Sequence, residues 1–142
     1  MSVVTNIADS VVAELNAAEL SQSLTAARFY KPSFPLKEMQ ELHVSVVPKR
    51  VVVSKSDRSR NVNDVQVDIA VQKKFSSGEN AELDPLMDLV EEIADLFRLR
   101  RLDSYPEAHW LKTEHQPIYS PEHWDEKRLF TSVITLTFRI VR

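Results

Sequence analysis

The sequence predicts an α+β protein with a single mixed, mostly antiparallel β-sheet that carries a long hairpin and packs against two main helices. Residues 4–16 and 85–97 carry apolar side chains at spacings of three and four, which is the period of an amphipathic helix. Residues 42–53, 64–75 and 130–141 alternate apolar and polar side chains, which is the period of a strand with one buried face. The two periods together define the fold class.

The composition indicates one globular domain, residues 1–142, with an ordinary hydrophobic core. Because the chain has no cysteine, disulfides and thiolate metal sites are excluded, and a reducing compartment is favoured. The first residues lack the basic segment of a signal peptide, and no stretch reaches the roughly 18 uninterrupted apolar residues of a membrane-spanning helix. We therefore expect a soluble protein with no membrane partner.

The long hairpin is predicted within residues 42–75. Pro48 interrupts the alternation of its first strand, and because proline cannot donate to a strand ladder, an edge or a bulge is expected there. Residues 54–63 are polar and basic, which favours a mobile tip. Residues 48–60 hold five bases against one acid, Asp57, so this part of the chain has a local charge of +4.

The second helix is predicted to begin with Asp84 as its N-cap and Pro85 as its first residue, where the missing N–H of proline costs nothing. Residues 76–97 hold seven acids and no base, and Glu91 and Glu92 are expected to face solvent. The helix should be the main cover of the sheet, because its apolar residues form one stripe: Leu86, Leu89, Val90, Ile93, Ala94 and Phe97.

Shorter elements complete the prediction. Residues 26–31 and 109–113 favour short strands, and residues 114–127 form a loop rich in proline, histidine and acids. The last strand, residues 130–141, has a threonine-rich second face. Such a face suits a sheet whose outer side is partly covered by neighbouring molecules.

Glycine occurs once, at Gly78, whereas average usage predicts about ten in a chain of this length. Phosphate-cradling loops, dinucleotide-binding turns and nucleophile elbows need glycine where the backbone turns with positive φ or approaches a ligand. No serine lies in a sequence context that marks it as a nucleophile. We therefore predict a protein without enzymatic activity and without a cofactor.

The loop at residues 114–127 contains the best candidate metal ligands, because imidazole and carboxylate groups together bind zinc and other divalent ions. His115 and His123 are separated by two prolines and lack the helical HExxH spacing that aims two ligands at one ion. A solvated loop or an interface segment is the better interpretation. The residues concerned are Glu114, His115, Glu122, His123, Asp125 and Glu126.

Two groups of side chains are candidate interface residues. Lys55, Arg58 and Arg60 at the hairpin tip suit phosphates, the acidic surface of a protein partner, or simply solvent. No aromatic residue is interleaved with them, so base stacking is not predicted. Three large aromatic residues in or near the polar loop suit either the core or an interface anchor, namely Trp110, Tyr119 and Trp124.

The order of these elements, with one strand ending in VQKK and the last strand reading FTSVITLTFRIVR, resembles the small tail-terminator and tail-completion proteins of long-tailed bacteriophages and prophages. The resemblance spans residues 3–142. Such proteins join the head to the tail, and a neck protein of similar size fits the same pattern.

The resemblance implies a non-enzymatic virion protein that self-associates into a ring, commonly a hexamer, and contacts the tail-tube protein and the head-connector or neck proteins. It implies assembly in the host cytoplasm and then a place in the virion tail or neck. The hairpin around residues 55–63 would project towards a neighbour, the tube or the lumen, and residues 114–127 would form a second contact. Nucleic acid would be met at most by passage through the ring lumen; the alternative is a nucleic-acid-binding module that uses the basic hairpin tip.

Overall fold

Two helices and six strands follow one another along the residues that the computed structural model describes, which are residues 2–30, 41–99, 101–115 and 128–142. Neither of these helices is long and apolar enough to cross a membrane. In chain order the elements are α1 (Val3–Ala17), β1 (Ala26–Arg28), β2 (His43–Lys55), β3 (Asn61–Lys74), α2 (Asn80–Phe97), β4 (Arg101–Leu102), β5 (Tyr105–His115) and β6 (Leu129–Val141).

The six strands form one sheet in the order β1-β2-β3-β6-β5-β4. β1 runs parallel to β2, whereas all other neighbouring strands in this sheet are antiparallel. β2 and β3 form the long hairpin. The predicted α+β fold, with a mostly antiparallel mixed sheet, a long hairpin and two helices, is therefore confirmed.

The core lies between one face of the sheet and both helices. Alternate residues of β3 and β6 face it, and their register puts Val67 opposite Leu136 and Ile69 opposite Ile134. These four side chains are fully buried and belong to one apolar cluster with the inner faces of α1 and α2. Because burial of a large apolar side chain stabilises the fold by about 1.5–3 kcal/mol, the sheet and the helices hold each other in place.

The two helices share the cover of the sheet, so the prediction of α2 as its main cover is wrong. α1 comes closest to β1 and β2 and also reaches β3, β4 and β5, whereas α2 lies against β6. The inner face of α1 includes the small side chain of Ala8, which allows a close approach of the two backbones. The inner face of α2 carries Leu89, Ile93 and Phe97, whose bulk keeps the helix further from the strands.

The hairpin contains the predicted irregularity at its proline. The pairing of β2 with β3 shifts register between Pro48 and Arg50, which confirms a bulge. Pairing then continues to Lys55 opposite Asn61. The tip is therefore residues 56–60, and it is shorter than the predicted 54–63 because backbone pairing persists beyond the last apolar residues.

The strand near residues 109–113 is also longer than predicted. β5 covers Tyr105–His115, because β6 pairs with it as far as His115 opposite Ile134 and β4 pairs with it at Tyr105. Glu114 and His115, which were assigned to the following loop, thus belong to a strand. A polar sequence such as that of β5 shows little alternation, so its ends depend on the partner strands.

The threonine-rich face of β6 needs no neighbouring molecule to cover it. Thr131, Thr135 and Thr137 are buried within the chain itself, so their burial does not depend on a neighbour. β6 lies between β3 and β5, and the longer side chains of Asp68 and Glu114 flank Thr135 on its two sides. The Thr135 hydroxyl also donates a hydrogen bond of 2.6 Å to Asp68 Oδ1.

The second helix begins five residues earlier than predicted. Its N-cap is Glu79 and its first residue is Asn80, so the predicted start at Asp84 and Pro85 is wrong, and Pro85 lies inside the helix. The signal that was missed is Glu82 at the third helical position. In capping-box sequences a glutamate at that position folds back onto donors at the helix start.

Glu82 holds the chain that leads into α2. Its carboxylate accepts hydrogen bonds from the backbone N–H groups of Ser76 at 2.6 Å and Ser77 at 3.0 Å, and from both serine hydroxyls. These bonds, chiefly those from Ser77, lower the pKa of Glu82 to about 2. The four hydrogen bonds from Ser76 and Ser77 therefore depend on a charged Glu82 carboxylate.

Truncation of the core should be far more destabilising than the same truncation at the surface. Leu89→Ala should lower the free energy of unfolding by about 2–5 kcal/mol, because Leu89 is fully buried and its removal leaves a cavity. Leu99→Ala is the matched control, since Leu99 is 84% exposed and should change stability by no more than about 0.5 kcal/mol. Urea unfolding measures both, and equal effects would contradict the placement of α2.

The hydrogen bonds that Glu82 accepts should make the free energy of unfolding depend on pH in the acidic range. A carboxyl group whose pKa is depressed by folding stabilises the fold above its ordinary pKa of 4.5, and this contribution is lost as the pH falls towards about 2. Glu82→Gln should therefore unfold at lower urea concentrations than the unmodified chain at pH 7, and the difference should shrink to nothing near pH 2. Glu79→Gln is the control, because the Glu79 side chain makes no cap bond. A pH-independent effect at Glu82 would refute the assignment.

Candidate interaction surface

The outer part of β2 and the tip of the hairpin are exposed at the edge of the sheet, whereas β3 beside them pairs with β6. Every residue from Lys49 to Asn61 is exposed, and we call this segment the hairpin arm. It includes Val51, Val52 and Val53, which are between 42% and 56% exposed. Apolar β-branched residues form strands well but favour burial, so the arm combines a regular strand pair with uncovered apolar surface.

The arm also has an open edge. β1 pairs with β2 only as far as Arg28 opposite Val46, and the N–H of Phe29 then donates to the carbonyl of Val46 at 2.9 Å. Among the described residues, no strand pairs with the outer edge of β2 from Lys49 to Lys55. The backbone groups on this edge are therefore available to a partner.

The tip of the arm is shaped by Asp57. The Asp57 carboxylate accepts hydrogen bonds from the backbone N–H groups of Ser59 and Arg60, both at 2.9 Å, and from the Arg60 guanidinium at 3.1 Å. The bond from the Ser59 N–H is the main reason that the pKa of Asp57 is lowered. The tip is thus a turn with its own internal bonds, and Asp57 neutralises one of the five bases.

The strand beside the arm is joined to β6. Arg139 binds the Asp64 carboxylate with two hydrogen bonds of 2.8 and 3.0 Å, which lower the pKa of Asp64 and raise that of Arg139. A bidentate pair of this kind is directional as well as attractive. Lys49, at the start of the arm, lies 3.8 Å from the Asp68 carboxylate of β3. The first contact holds β3 against β6, and the second holds the arm against β3.

The three basic candidate residues of the tip differ in whether they form an ion pair. Arg60 is occupied by Asp57, with the two groups 3.1 Å apart. Lys55 and Arg58 are exposed, and no ion pair to either is present in the described part of the chain. Arg50 is likewise exposed and unpaired there, although sequence reasoning did not single it out. The free positive charge of the arm is therefore carried by Arg50, Lys55 and Arg58.

One of the three aromatic candidate residues, Trp110, lies among the described residues. Trp110 is half-buried on the helix-facing side of β5, opposite Phe138, and packs against the core. Its indole N–H donates to the Thr113 hydroxyl at 2.9 Å. Tyr119 and Trp124 lie outside the described residues. Trp110 therefore contributes to the edge of the core, and nothing assigns it to an interface.

A line of carboxylates runs along the outside of α2, within the acidic segment that the sequence already indicated. Asp84, Asp88, Glu91 and Asp95 are all exposed. At about 100° per residue they fall within an arc of roughly 60°, on the side opposite the buried stripe. Among the described residues, none of the four has an ion-pair partner. We call these four residues the carboxylate stripe.

The other two acids of α2 are used inside the chain. Glu82 binds Ser76 and Ser77 in the segment that leads into the helix, as described above. Glu92 is half-buried and accepts hydrogen bonds from the backbone N–H of Ser21, at 3.1 Å, and from its hydroxyl. The prediction that Glu91 and Glu92 both face solvent is thus correct for Glu91 and wrong for Glu92, which ties α2 to the segment between α1 and β1.

A serine–histidine pair lies at the far end of β5. The His115 Nε2 and Ser132 Oγ atoms are 2.7 Å apart, which is the distance at which a histidine activates a serine nucleophile. Ser132, however, is fully buried, so a substrate has no access to its hydroxyl. The pair is a polar contact that joins β5 to β6.

The proposed metal ligands do not converge in the described part of the chain, where no cluster of acidic, histidine or cysteine side chains is arranged to hold an ion. Glu114 and His115 are neighbours on β5, and successive side chains of a strand point to opposite faces of the sheet. The other four candidates lie outside the described residues, namely Glu122, His123, Asp125 and Glu126.

The fold and its surface define an α+β protein with an exposed basic arm at one sheet edge and an acidic helix. No family model matches the sequence, and no curated protein matches it. The structure is similar to a chain of the virion of a native gene transfer agent (GTA) particle, with a TM-score of 0.50 and 16% sequence identity. The likeness covers 97% of this chain and 92% of that chain, and at this identity it shows a shared fold.

The histidine of the β5–β6 contact should make stability depend on pH near neutrality. Burial lowers the pKa of His115 below its ordinary value of 6.5, and the charge of Glu91 opposes this shift only in part. Because the unfolded chain then binds the proton more readily, the free energy of unfolding should fall as the pH drops below about 6.5. His115→Gln should weaken this dependence in urea unfolding at pH 7.5 and 5.5. His109→Gln, on the exposed part of β5, should leave it intact.

Proposed function

We propose that this protein is a structural component of a phage-like virion, and that it acts by assembly rather than by catalysis. The observation that carries the proposal is the likeness to a chain of a gene transfer agent virion, because it spans nearly the whole of both chains. A likeness of that extent compares complete architectures, whereas a shared hairpin or helix pair would cover a fraction of each.

Within that class, we propose a ring-forming tail terminator or tail-completion protein, most simply a hexamer. One face of the ring would match the end of the tail tube, and the other would present a different surface to the head-connector or neck proteins. Further tube protein would then find no matching surface, and growth of the tube would stop. The protein would assemble in the host cytoplasm and remain in the tail or neck of the virion.

The exposed features of the chain support an assembly role. The hairpin arm combines apolar side chains, basic side chains and backbone groups that no described strand pairs with. The carboxylate stripe offers a surface of opposite charge on another element. Interfaces use complementary charge chiefly to select partners and to fix register, and an assembly of identical subunits needs both.

Addition of the purified protein to polymerising tail-tube protein of the same virion tests this function. Tubes should stop at shorter lengths, in electron micrographs, as the protein is added, and one extra ring should be visible at a tube end. The last ring is a small part of the tube, so amounts far below those of tube protein should suffice. Tubes that grow to unchanged lengths with bare ends would refute the tail-terminator role, and binding to the connector alone would indicate a neck protein.

A nucleic-acid-binding module remains the second candidate, because Arg50, Lys55 and Arg58 are bases on one exposed segment. Phosphate contacts of this kind would give an affinity for duplex DNA that falls steeply with salt. Fluorescence anisotropy with labelled duplex DNA at 50 and 200 mM salt separates the two candidates. An affinity that is lost in Arg58→Ala would favour nucleic acid, and the absence of binding at the lower salt would remove this candidate.

A further inference from the structure

The two charged surfaces described above have no counterpart in the described part of their own chain. The arm carries three exposed and unpaired bases, and the carboxylate stripe carries four exposed and unpaired acids. We propose that the hairpin arm of one copy lies along the carboxylate stripe on α2 of a second copy. This inference deepens the assembly role proposed above and rests on it.

The carboxylate stripe is unfavourable for an isolated subunit. Asp84 and Asp88 stand four residues apart on the helix, as do Glu91 and Asp95, and like charges at this spacing destabilise a helix. Asp88 and Glu91 are neighbours at a spacing of three. A basic segment laid along the outside of α2 removes the repulsion between all of these pairs, which intrachain contacts of the described residues do not do.

The dimensions of the two surfaces agree. From Asp84 to Asp95 the helix rises about 17 Å, at 1.5 Å per residue. From Arg50 to Lys55 the strand extends about 17 Å, at 3.3 Å per residue, and Arg58 lies beyond it at the tip. Because Arg50 and Lys55 stand on opposite faces of the arm, an acidic helix beside the open edge of β2 is within reach of both long side chains.

Pairing of one arm with a second arm is the obvious competitor, since open strand edges pair readily with each other. Such a contact would place Arg50, Lys55 and Arg58 of one copy against the same bases of the other. Like charges set opposite one another destabilise a strand pair. The charge pattern thus favours a contact between different elements of the two copies, and contacts of this kind propagate around a ring when the rotation closes.

Engineered disulfides test the contact directly, because the chain has no cysteine of its own. One batch carries Ser54→Cys on the arm, and a second carries Asp88→Cys on the stripe. Under mild oxidation the mixed batches should form a heterodimer about tenfold faster than Ser54→Cys mixed with Glu107→Cys, since a site brought together by binding sees a high effective concentration. Glu107 is exposed on β5, away from the stripe.

Two outcomes of the disulfide experiment contradict the proposal. The first is that the arm and the stripe cross-link no faster than the arm and the Glu107 control. The second is that Ser54→Cys alone forms a homodimer faster than either mixture, which would mean that arms pair with arms. Both outcomes are decided by non-reducing gel electrophoresis of the same samples.

Charge reversal tests the electrostatic part of the contact. The arm variant carries Arg50→Glu, Lys55→Glu and Arg58→Glu, and the stripe variant carries Asp88→Lys, Glu91→Lys and Asp95→Lys. Each variant alone should lose self-association in sedimentation experiments, because its two surfaces then have the same sign. An equal mixture should regain it, since each arm meets a stripe of opposite charge, and this recovery also shows that both variants are folded.

Matched reversals away from the two surfaces are the control. Lys74→Glu with Lys112→Glu and Glu41→Lys with Glu107→Lys change exposed charges elsewhere and should self-associate as the unmodified chain does. Variants that associate normally by themselves, or a mixture that fails to recover, would overturn the contact. One combined result would also overturn the contact: the arm variant no longer binds duplex DNA, and the arm and the stripe do not cross-link.

The two proposals fail in different ways. If the mixture recovers and the disulfide forms but tail tubes grow to unchanged lengths, the arm contact stands and the tail-terminator role is wrong. If tubes are capped and the charge variants still associate and cap normally, the role stands and the arm contact is wrong.

Discussion

The pairing of β3 with β6 is the constraint on which the rest of the structure depends. It runs without a register shift from Val62 opposite Val141 to Lys74 opposite Leu129. Because side chains alternate along both strands, this one register decides which residues face the helices. A slip of one residue would turn either Val67 or Leu136 out of the core. The helices, the outer strands and the arm are all positioned by this ladder.

The exposure of the hairpin arm follows from its position at the edge of the sheet. Val51 lies opposite Val65 on the neighbouring strand, so the two side chains share one face of the sheet. Val65 is fully buried, whereas Val51 is 43% exposed. The core therefore covers β3 at this level and ends before it reaches the outer part of β2.

The sequence predicted what depends on local periodicity and missed what depends on partners. The alternation of β3 and the apolar stripe of α2 predicted both elements and their buried faces correctly. The ends of β5 and of the hairpin tip were misplaced, because a polar segment extends as a strand only when a neighbour pairs with it. The start of α2 was misplaced because Glu82 acts through Ser76 and Ser77, and only the folded turn brings these groups together.

The candidate surface was predicted only in part, because its pairing depends on contacts that form in the folded chain. The basic residues of the tip were found from composition, but the occupation of Arg60 by Asp57 required the geometry of the turn. The acidic character of α2 was likewise found from composition, but the separation of Glu92, which binds Ser21, from the four exposed acids required the structure.

The open edge of β2 affects the tendency of the free chain to aggregate at high concentration. An uncovered strand with three consecutive valines is the kind of segment that nucleates fibrils by edge-to-edge pairing. Pro48 and the register shift beside it bend the strand at the point where the arm begins, and Arg50 and Lys55 flank the valines with repelling charge. Residues of this kind act as gatekeepers against aggregation. The same two bases thus oppose edge-to-edge pairing of free copies of this chain.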